Sequence, residues 1–243
     1  MSQNISDAML HEVAAALERD PRINVHKGPV GVWQENGKVI LEGRVEDIAA
    51  KRAALATARR LLGHRHPVLD LLRVTPTEPR GNLELRDAVA RILAGEPVFR
   101  DYTLLTQTNG ETEIVHDAEA SPYKIQIRVR NGTVSLTGQV GSLSHRRLAE
   151  VLVWWTGSCE NVDNRLEVFP PEEDNDDEIT DAVRMVLEKD PLVHAEGMRV
   201  TTASAVVTLE GCAGNAEEKR LAVLDAWSVP GVGDVVDRIE ICG

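Results

Sequence analysis

The chain has 243 residues, of which 42% are hydrophobic and 27% charged, so it can bury ordinary cores and is not disordered overall. Aromatic residues make up only 3%, which argues against nucleic-acid binding by base stacking. The formal net charge is -12, and residues 172–243 account for most of it. This negative charge repels phosphate backbones and favours either basic partners or simple solubility.

A helix of the same pattern opens each third of the sequence. The candidate N-cap residues are Ser6, Asn82 and Asp176, whose side-chain oxygens can accept from the amides of the first helical turn. Apolar residues follow with the spacing of one helix face. They are Met9, Val13, Ala16 and Leu17; Leu85, Val89, Ile92 and Leu93; and Ile179, Val183, Val186 and Leu187. Each helix should end at an acidic residue before proline (Asp20-Pro21, Glu96-Pro97 and Asp190-Pro191).

Two strand-like runs come next in each copy. They span Val30 to Gly43, Ile125 to Gly138 and Met198 to Gly211. In the first two copies Asn36-Gly37 and Asn131-Gly132 separate alternating apolar residues, which predicts a tight hairpin because both positions accept positive φ angles. The third copy has Ala203-Ser204 there, so we expect a different turn.

A second helix and a last strand complete each copy. The helix carries a basic pair (Lys51-Arg52, Arg146-Arg147 or Lys219-Arg220) and closes near Gly63, Gly157 or Gly231. The last strand covers Val68–Val74, Val162–Val168 or Val235–Ile241. The helix that connects the last two strands is expected to make a right-handed βαβ crossover. The sequence therefore predicts an α+β fold of three tandem αββαβ units, each a three-stranded mixed sheet covered on one face by two helices, over 1–76, 82–170 and 175–243.

The second copy carries an insertion near 103–124, in which an extra hairpin can turn at Asn109-Gly110. We interpret it either as a partner-binding arm or as a solvated surface loop. Its acidic residues and His116 are possible metal ligands but lack a rigid scaffold, so we assign no metal and no cofactor. The sequence shows no nucleophile elbow, Walker loop, dinucleotide fingerprint or HExxH motif, so no catalytic residue is assigned either.

The stretch from NGTVSLTGQV to GSCENVDNRLEV resembles the BON domain, named for bacterial osmotically inducible and nodulation proteins. The third copy, with VVTLEG and GVGDVVDRIEI, is similar, whereas the first departs from the pattern after Gly63. The resemblance implies an αββαβ fold and a non-enzymatic binding role linked to phospholipid or envelope surfaces and to osmotic stress. It places the structural glycine of the family at Gly43, Gly138 and Gly211.

Four residues are candidates for binding: Trp155, Lys124, Arg128 and Arg130. Adjacent helical residues point about 100° apart, so Trp154 and Trp155 do not both fit one core. We interpret Trp155 either as packing between repeats or as an external contact. The three basic residues share one strand face and can touch phosphates, although a solvated face paired with nearby carboxylates is the commoner arrangement.

The N-terminus resembles a mature amphipathic helix more than a signal peptide, and no apolar run is long enough to span a membrane. We therefore expect a cytoplasmic protein without a transmembrane segment. The three cysteines, Cys159, Cys212 and Cys242, are expected to be free thiols, with a Cys212–Cys242 disulfide as the alternative.

Two functional hypotheses follow from these features. The first is an interaction protein, related to stress, that contacts a protein partner. The alternative is a peripheral protein that binds a phospholipid or envelope surface. An enzyme is disfavoured, although a fold alone does not exclude a catalytic site.

Overall fold

The computed structural model describes residues 5–24, 28–63, 66–119 and 121–242. The chain forms two compact units, residues 1–76 and 77–243. Unit 1 contains the first copy of the repeat, and unit 2 contains the second and third copies. Copies one and three run helix, strand, strand, helix, strand, and copy two has the same order with two inserted strands after its first helix, which confirms the α+β class and the threefold αββαβ order.

The described residues of unit 1 form two helices and three strands. They are α1 (Asp7–Arg19), β1 (Val30–Glu35), β2 (Lys38–Val45), α2 (Ile48–Leu62) and β3 (Val68–Val74). Strand β2 lies in the centre of the sheet, antiparallel to β1 and parallel to β3. Both helices cover the same face, where Leu17, Leu41 and Leu72 are fully buried.

Unit 2 contains two such assemblies. Copy two consists of α3 (Asn82–Gly95), β4 (Thr103–Thr108), β5 (Glu111–His116), β6 (Lys124–Arg130), β7 (Thr133–Val140), α4 (Leu143–Trp155) and β8 (Asn161–Val168). Copy three consists of α5 (Asp176–Lys189), β9 (Met198–Ala203), β10 (Val206–Ala213), α6 (Ala216–Ser228) and β11 (Asp234–Ile241). The insertion forms a hairpin, β4 and β5, that turns at Asn109-Gly110 and extends the copy-two sheet to the order β5-β4-β6-β7-β8.

The helix starts differ in part from the sequence prediction. Ser6 caps α1 by accepting from the Met9 amide, as predicted. The other two N-caps are Gly81 and Asn175, so the prediction of Asn82 and Asp176 as caps is wrong by one residue. These two side chains reach the hairpin turns of their own copies instead. Asn82 accepts from the Gly132 amide at 3.2 Å, and the Asp176 carboxylate accepts from the Ser204 and Ala205 amides at 2.7 and 2.9 Å.

Three glycines occupy one equivalent position in the three sheets. Gly43, Gly138 and Gly211 have φ angles of +146°, +128° and +127°. They pair in register with Val30, Ile125 and Met198. A Cβ atom at each glycine would collide with the backbone carbonyl of the residue just before its partner, which is Pro29, Lys124 or Gly197. The repeated glycine therefore meets a backbone requirement of the hairpin.

Copies two and three pack through α4, whose side chains cross to copy three. Arg147 is 3% exposed, and its Nε donates to the Pro230 carbonyl at 2.9 Å while its Nη2 bonds the Asp174 carboxylate at 2.5 Å. The Trp155 indole donates to Asp225 Oδ1 at 3.0 Å. The second basic residue of this helix is therefore a structural link between the two copies.

Cys212 on β10 and Cys242 just after β11 form a disulfide. These strands are parallel neighbours, and the two Cα atoms lie 5.6 Å apart. The expectation of free thiols at these two positions is therefore wrong, because strand pairing brings together cysteines 30 residues apart. Cys159 is free, as expected, and it is buried. The cytoplasmic location stays a prediction.

We predict that the number of thiols that react with a thiol reagent rises first on unfolding and again on reduction. Burial raises the pKa of the Cys159 thiol to about 12, so the native protein should not react with a thiol reagent at neutral pH. Unfolding without reductant should expose one thiol, and unfolding with reductant should expose all three. Three reactive thiols before reduction would contradict the disulfide.

Candidate functional site

The face of the unit 1 sheet opposite the helices carries a group of large apolar side chains. Trp33, Ile40 and Leu69 lie in one row across the three strands, and Leu71 lies in the next row. Trp33, Leu69 and Leu71 are 37%, 40% and 43% exposed, while Ile40 between the strands is buried. We call these four residues the unit 1 apolar face.

The Trp33 indole packs over Gly31 of its own strand. A Cβ atom at Gly31 would approach Cζ3 of the ring to 2.9 Å, so the missing side chain leaves room for it. An exposed indole in one row with Leu69 is an anchor of the kind that protein interfaces use, since aromatic residues bury much area with few rotatable bonds.

The fold does not require an apolar row at these positions. The equivalent row of copy two is Arg128, Ser135 and Asp163, and that of copy three is Thr201, Thr208 and Val236. Copies with mostly polar residues there form the same sheet. The unit 1 apolar face is therefore specific to one copy and available for another purpose.

Charged residues border this face at both ends. Glu35 and Lys38 are cross-strand neighbours at the hairpin end of the sheet, and Arg44 and Arg73 are cross-strand neighbours at the other end. The exposed Glu42 lies beside Leu71 in the second row, so the surface combines apolar side chains with charged ones, as protein-binding patches do. Hydrophobic alternation along single strands does not reveal this patch. Comparing the open-face positions of the three copies would have found it.

The structure places Trp155 at the junction of copies two and three. Its indole is half-buried and bonded to Asp225, which corresponds to packing between repeats, the first of the two interpretations. The Asp225 carboxyl is 3% exposed, and burial together with the neighbouring Asp190 raises its pKa to about 8. Binding by Trp155 stays a prediction.

The three predicted basic residues all lie exposed on β6. The structure brings Arg128 and Arg130 together with Arg86 of α3 in one groove, and Lys124 lies outside it. Within the described parts of the chain, the side chains of Lys124, Arg128 and Arg130 make no hydrogen bond or ion pair. Their predicted role in binding remains a prediction.

The basic pairs of the second helices have structural roles in the described residues. Lys51 Nζ bonds Asp70 at 3.0 Å and also contacts the Leu72 carbonyl, and Lys219 Nζ bonds Asp237 at 3.1 Å. Burial lowers the pKa of Lys51, although the nearby Asp70 opposes that shift. These two lysines hold the last strand of their own copies.

The described residues form neither a metal-ligand cluster nor a membrane-spanning helix. Among them, no three His, Cys, Asp or Glu side chains converge as metal ligands would. No helix formed by these residues is long and apolar enough to cross a membrane.

Fold and surfaces define a tandem-repeat α+β protein that presents an apolar sheet face, a cationic groove and an acidic third copy. The chain belongs to the BON domain family, whose model matches residues 11–76, 107–170 and 175–243. This confirms three tandem copies of the domain. The family is of the non-catalytic, binding type. In copy two the matched range begins inside β4, so α3 and the insertion's first residues lie outside it.

Two solved structures are similar to the chain over nearly its whole length. Both are CdsD, a structural protein of the type III secretion system of Chlamydia trachomatis. The C-terminal domain of CdsD is 13% identical, with 99% of this chain and 100% of that chain covered and a TM-score of 0.25. The second structure is 14% identical, with 97% and 92% covered and the same TM-score. No curated protein matches the sequence.

Proposed function

We propose that this protein is a non-enzymatic interaction protein that binds a protein partner through the unit 1 apolar face. The supporting observation is that Trp33, Leu69 and Leu71 are exposed in copy one, where the other copies carry mostly polar residues. Removing apolar surface from water is favourable by about 25 cal/mol per Å², and part of that gain offsets the entropy lost on association. The binding-type family and its association with osmotic stress favour a partner that is met under stress.

The proposal predicts that polar substitution of this face abolishes partner binding. We expect a tagged full-length protein to recover a partner from extracts of osmotically stressed cells of its own source, and a Trp33→Ser, Leu69→Ser variant to lose it. Both side chains are substantially exposed, so the variant should keep its fold, which thermal unfolding checks.

A matched control is available in unit 2. Leu192 is 64% exposed outside the proposed surface, so Leu192→Ser removes a similar apolar group and should leave recovery unchanged. Recovery of nothing above background, or equal recovery by the Trp33→Ser, Leu69→Ser variant, would overturn the proposal.

The second candidate function is peripheral binding to a phospholipid surface. Arg128 and Arg130 favour it, because they are exposed and unpaired among the described residues and could meet anionic headgroups. The net charge of -12 opposes it. Flotation with vesicles containing anionic lipid at low salt separates the two, since only a lipid-binding protein would rise with the vesicles.

A further inference from the structure

Strand β5 forms one edge of the copy-two sheet, and no other described strand pairs with its outer side. Its only neighbour in the sheet order β5-β4-β6-β7-β8 is β4. All of its residues except the last are exposed, and Ile114 and Val115 are 59% and 44% exposed. The described three-stranded sheets of copies one and three contain no counterpart of β5. An open edge presents backbone N–H and C=O groups that can pair with another extended chain.

The register with β4 divides the β5 side chains between the two faces of the sheet. Glu113 pairs with the buried Thr106, so it lies on the face that α3 covers, and Glu111 lies on the same face two residues away. Ile114 pairs with the half-buried Leu105, so both lie on the open face. The outer edge is therefore acidic on the α3 side and apolar on the open side.

The charge of this edge favours a basic occupant. Glu111 and Glu113 are exposed, and within the described residues their side chains make no hydrogen bond or ion pair. Residues 111–119 contain four acidic residues and neither lysine nor arginine. Like charges on facing strands are destabilising, so this edge disfavours an acidic strand or β5 of a second copy and selects for a basic strand.

We propose that β5 binds an extended segment of a protein partner, which adds one strand to this sheet and alternates basic with apolar side chains. Its basic side chains lie beside Glu111 and Glu113 on the α3 side, and an apolar side chain lies beside Ile114 on the open side. The proposal goes beyond the proposed function, since it concerns unit 2 and does not require the unit 1 apolar face.

A cleft between α3 and β5 leaves room for long basic side chains. It has a volume of about 730 Å³, and its lining includes Ala90 and Ala94 of α3 together with Glu113. Arg86 also lines the cleft, but its guanidinium bonds Asp87 at 2.8 Å. The aliphatic stem of a lysine or arginine can therefore pack along the two alanines while its charged end reaches the Glu113 carboxylate.

Selection of a random-peptide display library on the full-length protein tests this assignment. We expect enriched peptides in which lysine or arginine alternates with apolar residues. Reversing both charges, with Glu111→Lys and Glu113→Lys, should weaken the binding of a selected peptide by roughly tenfold or more, because two attractive cross-strand pairs become repulsive.

Backbone methylation of a selected peptide distinguishes strand addition from docking by side chains alone. Successive residues of a strand direct their amides to opposite sides, so methylating every second amide removes the donors on one side of the peptide. We expect one of the two alternating sets of methyl groups to abolish binding and the other to leave it nearly unchanged. Equal effects of the two sets would contradict pairing with the β5 backbone.

Glu167→Lys is the matched control for the charge reversal. Glu167 is exposed on β8, which is the other edge strand of the same sheet, so its reversal should leave peptide binding unchanged. Thermal unfolding should confirm that all variants are folded.

Arg91→Glu tests on which face the basic side chains lie. Arg91 is exposed on α3 and lines the cleft, so it should repel basic side chains placed there. Its reversal is expected to strengthen peptide binding, and unchanged or weaker binding would contradict their position on the α3 side.

Three further results would overturn the proposal: no enriched peptide with alternating basic residues, binding unaffected by the Glu111→Lys, Glu113→Lys variant, or equal loss in the Glu167→Lys control. Dimerisation of the protein that Ile114→Lys abolishes would assign this edge to a second copy instead. Recovery of a partner through the unit 1 apolar face tests the proposed function separately, so either proposal can fail while the other stands.

Discussion

Replacing Gly138 with alanine is expected to destabilise unit 2 by roughly 3 kcal/mol or more, because two costs combine. The φ angle of +128° is one that side chains rarely adopt, and the new Cβ would collide with the Lys124 carbonyl. That atom belongs to the backbone of the neighbouring strand, so it cannot move away without disturbing the sheet. Chemical denaturation followed by tryptophan fluorescence measures the free energy of unfolding.

Gly95→Ala is the control for this substitution. Gly95 ends α3, and a Cβ atom there would meet no heavy atom within 4 Å. We expect a small change, or slight stabilisation, because alanine favours helix. A similar loss of unfolding free energy in the Gly138→Ala and Gly95→Ala proteins would show that position 138 does not require glycine. Gly43→Ala should affect the unfolding of unit 1 in the same way.

Replacing Asp225 with asparagine is expected to stabilise unit 2 near pH 8 and to do so less as the pH falls. Asp225 is 3% exposed, and its Oδ2 has no partner among the described residues. Burial and the neighbouring Asp190 raise the pKa of Asp225 to about 8, far above its value of about 3.9 in an unfolded chain. Asparagine keeps an oxygen that can accept from the Trp155 indole and carries no charge at any pH.

The sign of this pH effect follows from linkage. Below about pH 4 the Asp225 carboxyl is protonated in both the folded and unfolded states, so it costs nothing. Between about pH 4 and pH 8 the unfolded state releases the proton while the folded state keeps it. Wild-type stability therefore falls by up to about 1.4 kcal/mol per pH unit relative to the Asp225→Asn variant, and the difference levels off above pH 8.

Denaturation of both proteins across the range from pH 4 to pH 9 measures this difference. Asp101→Asn removes an exposed carboxylate of the same unit and serves as the control. A stability difference between the wild-type and Asp225→Asn proteins that does not change with pH would contradict the buried, protonated carboxyl.

The sequence predicted the repeat well because its signals are local. Acidic-Pro pairs such as Glu96-Pro97 end the first helices, and Asn36-Gly37 and Asn131-Gly132 form the first two hairpin turns. In copy three the turn lies at Ser204 and Ala205, one residue later than expected. Asp176 accounts for that turn, since its carboxylate binds both amides.

Features that depend on distant packing were harder to predict. Nothing local distinguishes Arg147 from Arg52 or Arg220, yet only packing against copy three turns Arg147 into a buried link. The disulfide depends on the parallel register of β10 and β11, which places Cys212 beside Cys242. The cysteine spacing alone does not reveal that register, and the rarity of disulfides in the cytoplasm favours the prediction of free thiols.

The unit 1 apolar face was missed for a different reason. Hydrophobic alternation identifies the helix-covered face of each strand, and the open face was assumed to be solvated. Trp33, Leu69 and Leu71 occupy open-face positions, so they are visible only when the three copies are compared row by row. The groove arginines were identified as a group, but the contribution of Arg86 depends on how α3 lies against the hairpin.

Site-specific photocrosslinking in osmotically stressed cells tests the central claim most directly. A photoreactive amino acid would replace Trp33 or Leu71 in turn, and Thr201, the exposed counterpart of Trp33 in copy three, would be the control. The account predicts that positions 33 and 71 crosslink to the same protein and that position 201 does not. Absence of a protein crosslink from positions 33 and 71, or an equal crosslink from position 201, would contradict it.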